Sequence, residues 1–484
     1  MAYRGLWRIT GSDVLRRTAL RVPEKPAIIF KGKEITYREF NACANRVANA
    51  LIDLGIKKGD RVSVLTLNVP EHLYALYGIW RAGAIYNPIN AMLHGSEVRY
   101  IVNHAESKVF IVEDALLPRV KDYIGPDKMP SVEHYILIRT MGTSPPEGWR
   151  DFADLLSEKY PEEEPEVEMD IDDPCLLLYT SGTTGPPKGV LHCHRFVFGE
   201  LVSGSVDLEF RPDDVVLLTI PIFHVAALYV QMMSVGAGAT MVLQWRPDLK
   251  EAVELIEKYQ VTYIPWPPTL LVGLWSFLGG PKRSFPSVKK IISFGNPFPM
   301  YHVLLDLGKI FPNARWMNYW GLTESGPLGA SYGFVELNEE TAKKLCADCI
   351  GKPHVTVELK LLDEEGREVP PGQIGELCLR GPSVMKEYFK DPEKTAETLK
   401  DGWLHTGDLG MINPEDGLLY FVDRKKDIIK SGGENVSSIK AETVIGTHPK
   451  VAMCAVVGAP HPSGWRAWWP SWCPSRARSS PRTR

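Results

Sequence analysis

Between Thr180 and Gly189 the chain concentrates the residue types of an anion site. Thr180, Ser181, Thr183 and Thr184 bring hydroxyl donors, Gly182, Gly185 and Gly189 free the backbone, and Lys188 adds a positive charge. Glycines let backbone N–H groups converge on an anion, and the hydroxyls and the ammonium extend that cradle. This is phosphate-binding chemistry. It is not a Walker A loop, because the spacing differs and Lys188 is followed by Gly189 rather than Ser or Thr. Gly, Ser, Thr and Pro are also ordinary loop residues, but few loops combine so many donors with one lysine.

Such a loop needs strands to hold its ends. The apolar run from Cys175 to Tyr179 has the look of a short buried strand leading into it. Upstream, Thr36 and Glu39 form a capping box, after which Phe40, Cys43, Val47, Leu51 and Leu54 recur at helical spacing until Gly55. A strand is expected at Val62 to Leu67, a helix around His72 to Ala82, a helix capped by Ser96, and a second buried strand at Val109 to Val112. Further strand-like runs lie at Val215 to Ile220, Met241 to Leu243, Val261 to Ile264 and Lys290 to Ser293, with helical segments between. This alternation predicts parallel α/β layering, with ligands taken at the strand ends. At 484 residues the chain exceeds one ordinary domain. A net charge of −4 and a pI near 6.3 give no support for a nucleic-acid or anionic-membrane partner. The start lacks a signal-peptide apolar core, and no apolar run is long enough to span a bilayer. The eight cysteines are scattered, and the Cys346–Cys349 pair has no second pair or His cluster beside it. Reduced thiols and a cytoplasmic location are expected.

The string LLLYTSGTTGPPKGVLHCH, Leu176 to His194, resembles the signature of the adenylate-forming superfamily of acyl-CoA synthetases, luciferases and peptide-synthetase adenylation domains. Further motifs follow in family order from about Pro23 to His461. The resemblance implies that residues Thr180, Ser181, Gly182, Thr183, Thr184 and Gly185 wrap a nucleotide polyphosphate, with Lys188 on the phosphates that leave. His224, in Pro221–Val225, would border the channel for the acid. Ser293–Pro297 matches the adenine-binding turn, giving Gly295, Asn296 and Pro297, although Phe294 and Asn296 stand where the family has smaller residues. In Asn318-Tyr319-Trp320-Gly321-Leu322-Thr323-Glu324, Trp320 would stack on adenine, Thr323 would donate to the α-phosphate and Glu324 would bind Mg²⁺. Asp408 would accept from the ribose hydroxyls and Arg424 would contact ribose or phosphate. Lys426 takes the hinge position, and Lys430, Gly432 and Gly433 belong to the segment facing the CoA tunnel.

The fold this implies is a large N-terminal domain of layered α/β subdomains with a small β-barrel-like part over residues 1–422. The start of a small α+β C-terminal domain follows over 423–462. After Ser463 the composition shifts to GWRAWWPSWCPSRARSSPRTR, with four tryptophans, five arginines and no acidic residue. Neither strand nor helix period is visible, so 463–484 is expected to be an aberrant, frame-shifted tail without a packed core, lacking the family's C-terminal catalytic lysine. The activity implied is that of a fatty-acyl-CoA or aryl-CoA ligase. It would use ATP, Mg²⁺ and coenzyme A to convert a small carboxylic acid to its acyl-adenylate and then its thioester. The reading involves no nucleic acid and admits a homodimer. The alternatives are an aryl-acid ligase and a catalytically impaired ATP/AMP-binding protein.

Overall fold

The computed structural model describes residues 9–180, 185–295, 298, 300–431, 434–446, 451–460 and 466–474. The chain divides into two compact units. The first comprises Met1–Tyr263, Leu322–Leu328 and Gly381–Glu397, and the second Ile264–Gly321, Gly329–Arg380 and Thr398–Arg484. The boundary expected at residue 422 therefore falls inside the second unit.

The first unit is layered α/β. Its eight-stranded sheet runs in the spatial order Glu387–Tyr388, Lys188–Cys193, Pro174–Thr180, Ile85–Pro88, Arg61–Leu65, Val109–Glu113, His134–Ile138 and Arg150–Asp151. From Pro174–Thr180 onward the pairings are parallel, and the first two pairings are antiparallel. Ile85–Pro88 and Val109–Glu113 are buried along their whole length, which parallel strands covered on both faces require. A further set in the same unit pairs Pro26–Phe30 with Thr240–Leu243, and that strand with Val215–Leu218, all parallel. The capping box at Thr36 forms as expected. Glu39 N–H donates to Thr36 Oγ1 at 3.2 Å and Thr36 N–H to Glu39 Oε2 at 2.7 Å. The helix Gly95–Ala105 corrects one assignment: its N-cap is His94, not Ser96. Glu97 closes the box by accepting from His94 N–H at 2.9 Å, a role that a sequence search for Ser or Thr overlooks.

In the second unit Lys290–Phe294 pairs parallel with Arg315–Trp320. From there the sheet continues antiparallel through Ala330–Ser331, Cys349–Pro353, Leu419–Arg424, Trp403–Ile412 and Ile374–Arg380 to Glu358–Leu362. Arg466–Pro474 forms a strand paired antiparallel with Val451–Pro460. Pairing is made by backbone groups, so it does not need alternating side chains. Among the described residues no helix is long and apolar enough to cross a membrane.

Candidate functional site

The phosphate-loop residues lie on a hairpin of the first unit. Pro174–Thr180 and Lys188–Cys193 pair in a register that sets Thr180 opposite Lys188, Tyr179 opposite Gly189 and Leu178 opposite Val190. Thr180 and Lys188 thus form the last pair below the turn. Ser181, Gly182, Thr183 and Thr184 lie outside the described residues, and Gly185 is exposed. Gly189 is required by its surroundings, since a Cβ there would come within 2.9 Å of Leu177 Cδ1, 3.2 Å of Tyr179 Cζ and 3.3 Å of Phe389 Cβ.

Tyr388, which the motif reading missed, joins Lys188 and Glu324. Glu387–Tyr388 adds to the hairpin's edge, opposite Leu191 and Val190. Flanking bonds lock it there: Phe389 N–H donates to Gly189 O and Lys386 N–H to Leu191 O, both at 2.7 Å. Lys188 Nζ lies over the Tyr388 ring, 5.7 Å from its centroid, and Tyr388 O–H donates to Glu324 Oε1 at 2.9 Å. One aromatic side chain therefore carries the cation on its face and the carboxylate on its hydroxyl. Thr323–Ser325 is a 3₁₀ turn, pinned from two sides. Met385 N–H donates to Glu324 O at 2.8 Å, and His192 Nε2 lies 2.9 Å from Thr323 O. A carbonyl partner makes that nitrogen the protonated one, and burial holds the His192 pKa down at about 4, so the ring is neutral. The sequence signal was present in the second half of the signature string, but nothing in it says which backbone group the imidazole meets.

Glu324 makes no ion pair among the described residues, and its second oxygen accepts no hydrogen bond from them. A hard divalent cation needs oxygen ligands and keeps waters and phosphate oxygens as the rest of its shell. One half-buried carboxylate fits that demand for Mg²⁺. His224 caps the helix Val225–Ala237, is exposed, and forms no side-chain capping bond. It is not a satisfied core histidine. Phe223, beside it, is buried.

The nucleoside-side residues lie in the second unit. Asn318 and Tyr319 are held in the interior: Asn318 Nδ2 donates to Asp348 Oδ1 at 3.3 Å, and Tyr319 stacks on His354 with centroids 5.1 Å apart. Trp320, at the end of the same strand, donates its indole N–H to Asp408 Oδ2 at 3.0 Å. Asp408 stands opposite Arg424 in the register of the next strand pair, with Arg424 Nε 3.8 Å from Asp408 Oδ1. Trp320, Asp408 and Arg424 are thus brought together. The Asp408 carboxylate is shared between the Trp320 indole and the Arg424 guanidinium. Burial pushes the Asp348 carboxyl up to about 7, with Asp408 nearby adding to the shift. Gly295 has φ +99 and open space where a side chain would be, so the backbone there is bare. Gly321 ends the segment, half-buried. Asn296, Pro297, Gly432 and Gly433 lie outside the described residues, as does the side chain of Lys430, whose backbone forms part of Ile429–Ser431.

A family model described as AMP-binding enzyme matches residues 15–389. Among known proteins, the chain is 33% identical to the fatty acid–[acyl-carrier-protein] ligase ScoC of Streptomyces coeruleorubidus, over 90% of this chain and 81% of that one. It is 34% identical to the long-chain-fatty-acid–CoA ligase of Thermus thermophilus, over 91% of this chain and 83% of that one. Among solved structures it is similar to the anthranilate CoA ligase AuaEII in complex with anthranoyl-AMP, with a TM-score of 0.88 and 27% identity, covering 98% of this chain and 88% of that one. The o-succinylbenzoate CoA synthetase of Bacillus subtilis, in complex with ATP and magnesium ion, matches with a TM-score of 0.79 and 29% identity over 95% of this chain and 89% of that one.

Proposed function

The chain belongs to the AMP-binding enzyme family, and on that premise we propose that it is an ATP-dependent acid–CoA ligase whose acid is a fatty acid. The observation that carries the reading is the placement of Lys188 and Glu324 on one tyrosine, beside a hairpin turn rich in phosphate-binding residues. A cation for phosphate oxygens and a carboxylate for a hard metal are held in register by one ring.

The first half-reaction joins a carboxylate oxygen of the acid to the α-phosphorus of ATP, as the bond to the pyrophosphate oxygen breaks and that oxygen leaves with the electron pair. Lys188 and the loop amides hold the departing pyrophosphate, and the Thr323 hydroxyl donates to the α-phosphate as charge builds there. Glu324 would hold Mg²⁺, which supplies further positive charge at the phosphates. Trp320 offers a flat apolar face for adenine, its indole N–H already committed to Asp408. Asp408 would accept from the ribose hydroxyls. In the second half-reaction the CoA thiolate attacks the acyl carbonyl carbon, and AMP leaves as the acyl–oxygen bond breaks. The protein's work is positioning and charge stabilisation.

Support for a fatty acid comes from the names of the two relatives in Streptomyces and Thermus. The 0.88 TM-score likeness to an anthranilate ligase favours an aryl acid as the second reading. A cytoplasmic setting belongs to the same proposal, in keeping with the free thiols of the described cysteines. ATP–pyrophosphate exchange across a panel of long-chain, short-chain and aryl acids tests it. Exchange is expected to be strongest with the long-chain acids. Binding of ATP without exchange for any acid would overturn the ligase reading, and exchange confined to benzoate-like acids would replace the fatty-acid assignment.

A further inference from the structure

We propose that Glu376, Cys378 and His405 form a binding site for a thiophilic divalent cation of the zinc class. The three side chains come from adjacent antiparallel strands, Ile374–Arg380 and Trp403–Ile412, with Cys378 directly opposite His405 in the register. Cys378 Sγ, His405 Nδ1 and a Glu376 carboxylate oxygen lie within 4.8 Å of one another. Sγ is 3.4 Å and Glu376 Oε2 is 3.5 Å from Nδ1. The second separation is too wide for an N–H···O hydrogen bond, whose range is about 2.7–3.2 Å. It is close to a coordination edge. With Zn–S near 2.3 Å and Zn–N and Zn–O near 2.0–2.2 Å at tetrahedral angles, S···N and N···O edges come to roughly 3.6 and 3.4 Å. The ligand set of one thiolate, one imidazole and one carboxylate suits zinc and excludes magnesium. Cys378 is fully buried, whereas Glu376 and His405 keep 15% and 22% of their side-chain surface exposed, which leaves an entry path and a fourth position for water.

The site lies under a bulge. Between Glu376 and Cys378 the pairing shifts, leaving Thr406–Asp408 looped out of register, and Glu376 Oε1 accepts from Gly407 N–H at 2.9 Å. The other oxygen, Oε2, lies 3.8 Å from Lys425 Nζ. A cation would thus compete with Lys425 for Oε2, beside the segment that presents Asp408. On coordination the Cys378 thiol gives its proton to solvent.

Titration of the full-length protein with Co²⁺ alone reads this directly, because thiolate coordination produces a near-ultraviolet sulfur-to-cobalt band. The expected result is a band saturating at one equivalent, displaced by Zn²⁺, absent in Cys378→Ser and His405→Ala, and unchanged in Cys349→Ser. Lys425→Met, which removes the competing charge, is expected to tighten binding several-fold. Absence of the band from the parent protein, its survival in Cys378→Ser, or its loss in Cys349→Ser would overturn the proposal. So would unaltered affinity in Lys425→Met. Circular dichroism of each variant separates loss of the ligand from loss of the fold.

Discussion

Tyr388 presents its ring face to a lysine and its hydroxyl to a carboxylate, so the Tyr388→Phe change separates two effects. The ring under Lys188 remains, and Glu324 loses one charge-assisted hydrogen bond, worth about 1.5–3 kcal/mol when well shielded. Glu324 is half-buried, so the lower end applies: stability is expected to fall by about 1.5 kcal/mol, and the Mg²⁺ requirement for pyrophosphate exchange to rise because the carboxylate is no longer held in place. A Mg²⁺ titration curve superimposable on the parent's would remove Tyr388 from the site. Asp348 carries a different prediction. Its folded pKa, about 7, lies above the value of about 3.9 for an unfolded aspartate, so the folded chain holds the proton more tightly. Stability from this group is complete below about pH 4 and is lost as pH rises to about 7. Asp348→Asn keeps an acceptor for Asn318 and has nothing to ionise. Its stability advantage over the parent is expected to widen from pH 4 to 7 and then level off, measured by denaturant unfolding. An advantage independent of pH would show that Asp348 is ionised throughout.

The hairpin is the element on which the phosphate side depends, and Gly189 is where it tolerates least. The Gly189→Ala methyl would press on Leu177, Tyr179 and Phe389, and overpacking of this kind costs about 1–3 kcal/mol. A lowered unfolding midpoint is expected, together with weakened ATP binding, because Lys188 is the next residue. An unchanged midpoint would mean that the strand Glu387–Tyr388 yields easily. The hairpin strand itself was legible in the sequence, as an apolar run followed by turn residues. The edge strand Glu387–Tyr388, paired with Lys188–Cys193, was not: a two-residue strand has no period to read, and its place is set by backbone bonds to Gly189 and Leu191. His94 as a helix cap escaped for a related reason, since capping depends on which acceptor reaches the first turn and not on residue type alone.

For the whole molecule, each compact unit carries residues of the binding motifs, Lys188 and Glu324 in one and Trp320 and Asp408 in the other. ATP with Mg²⁺ at about a hundred times its Kd is expected to stabilise the folded chain by about 2.7 kcal/mol, seen as a raised melting temperature. Lys188→Ala and Asp408→Asn, one in each unit, are each expected to reduce that shift. A full shift in either would remove that residue from the nucleotide site. By itself the sequence determined the layered α/β class, the family and the order of the binding motifs, because these rest on local periodicity and on residue types at fixed short spacings. Only the tertiary structure decided that Tyr388 stands between Lys188 and Glu324, that Trp320 is tied to Asp408, and that Glu376, Cys378 and His405 converge. Those contacts join residues far apart in the chain, and strand pairing and register, which no local pattern encodes, bring them within bonding distance.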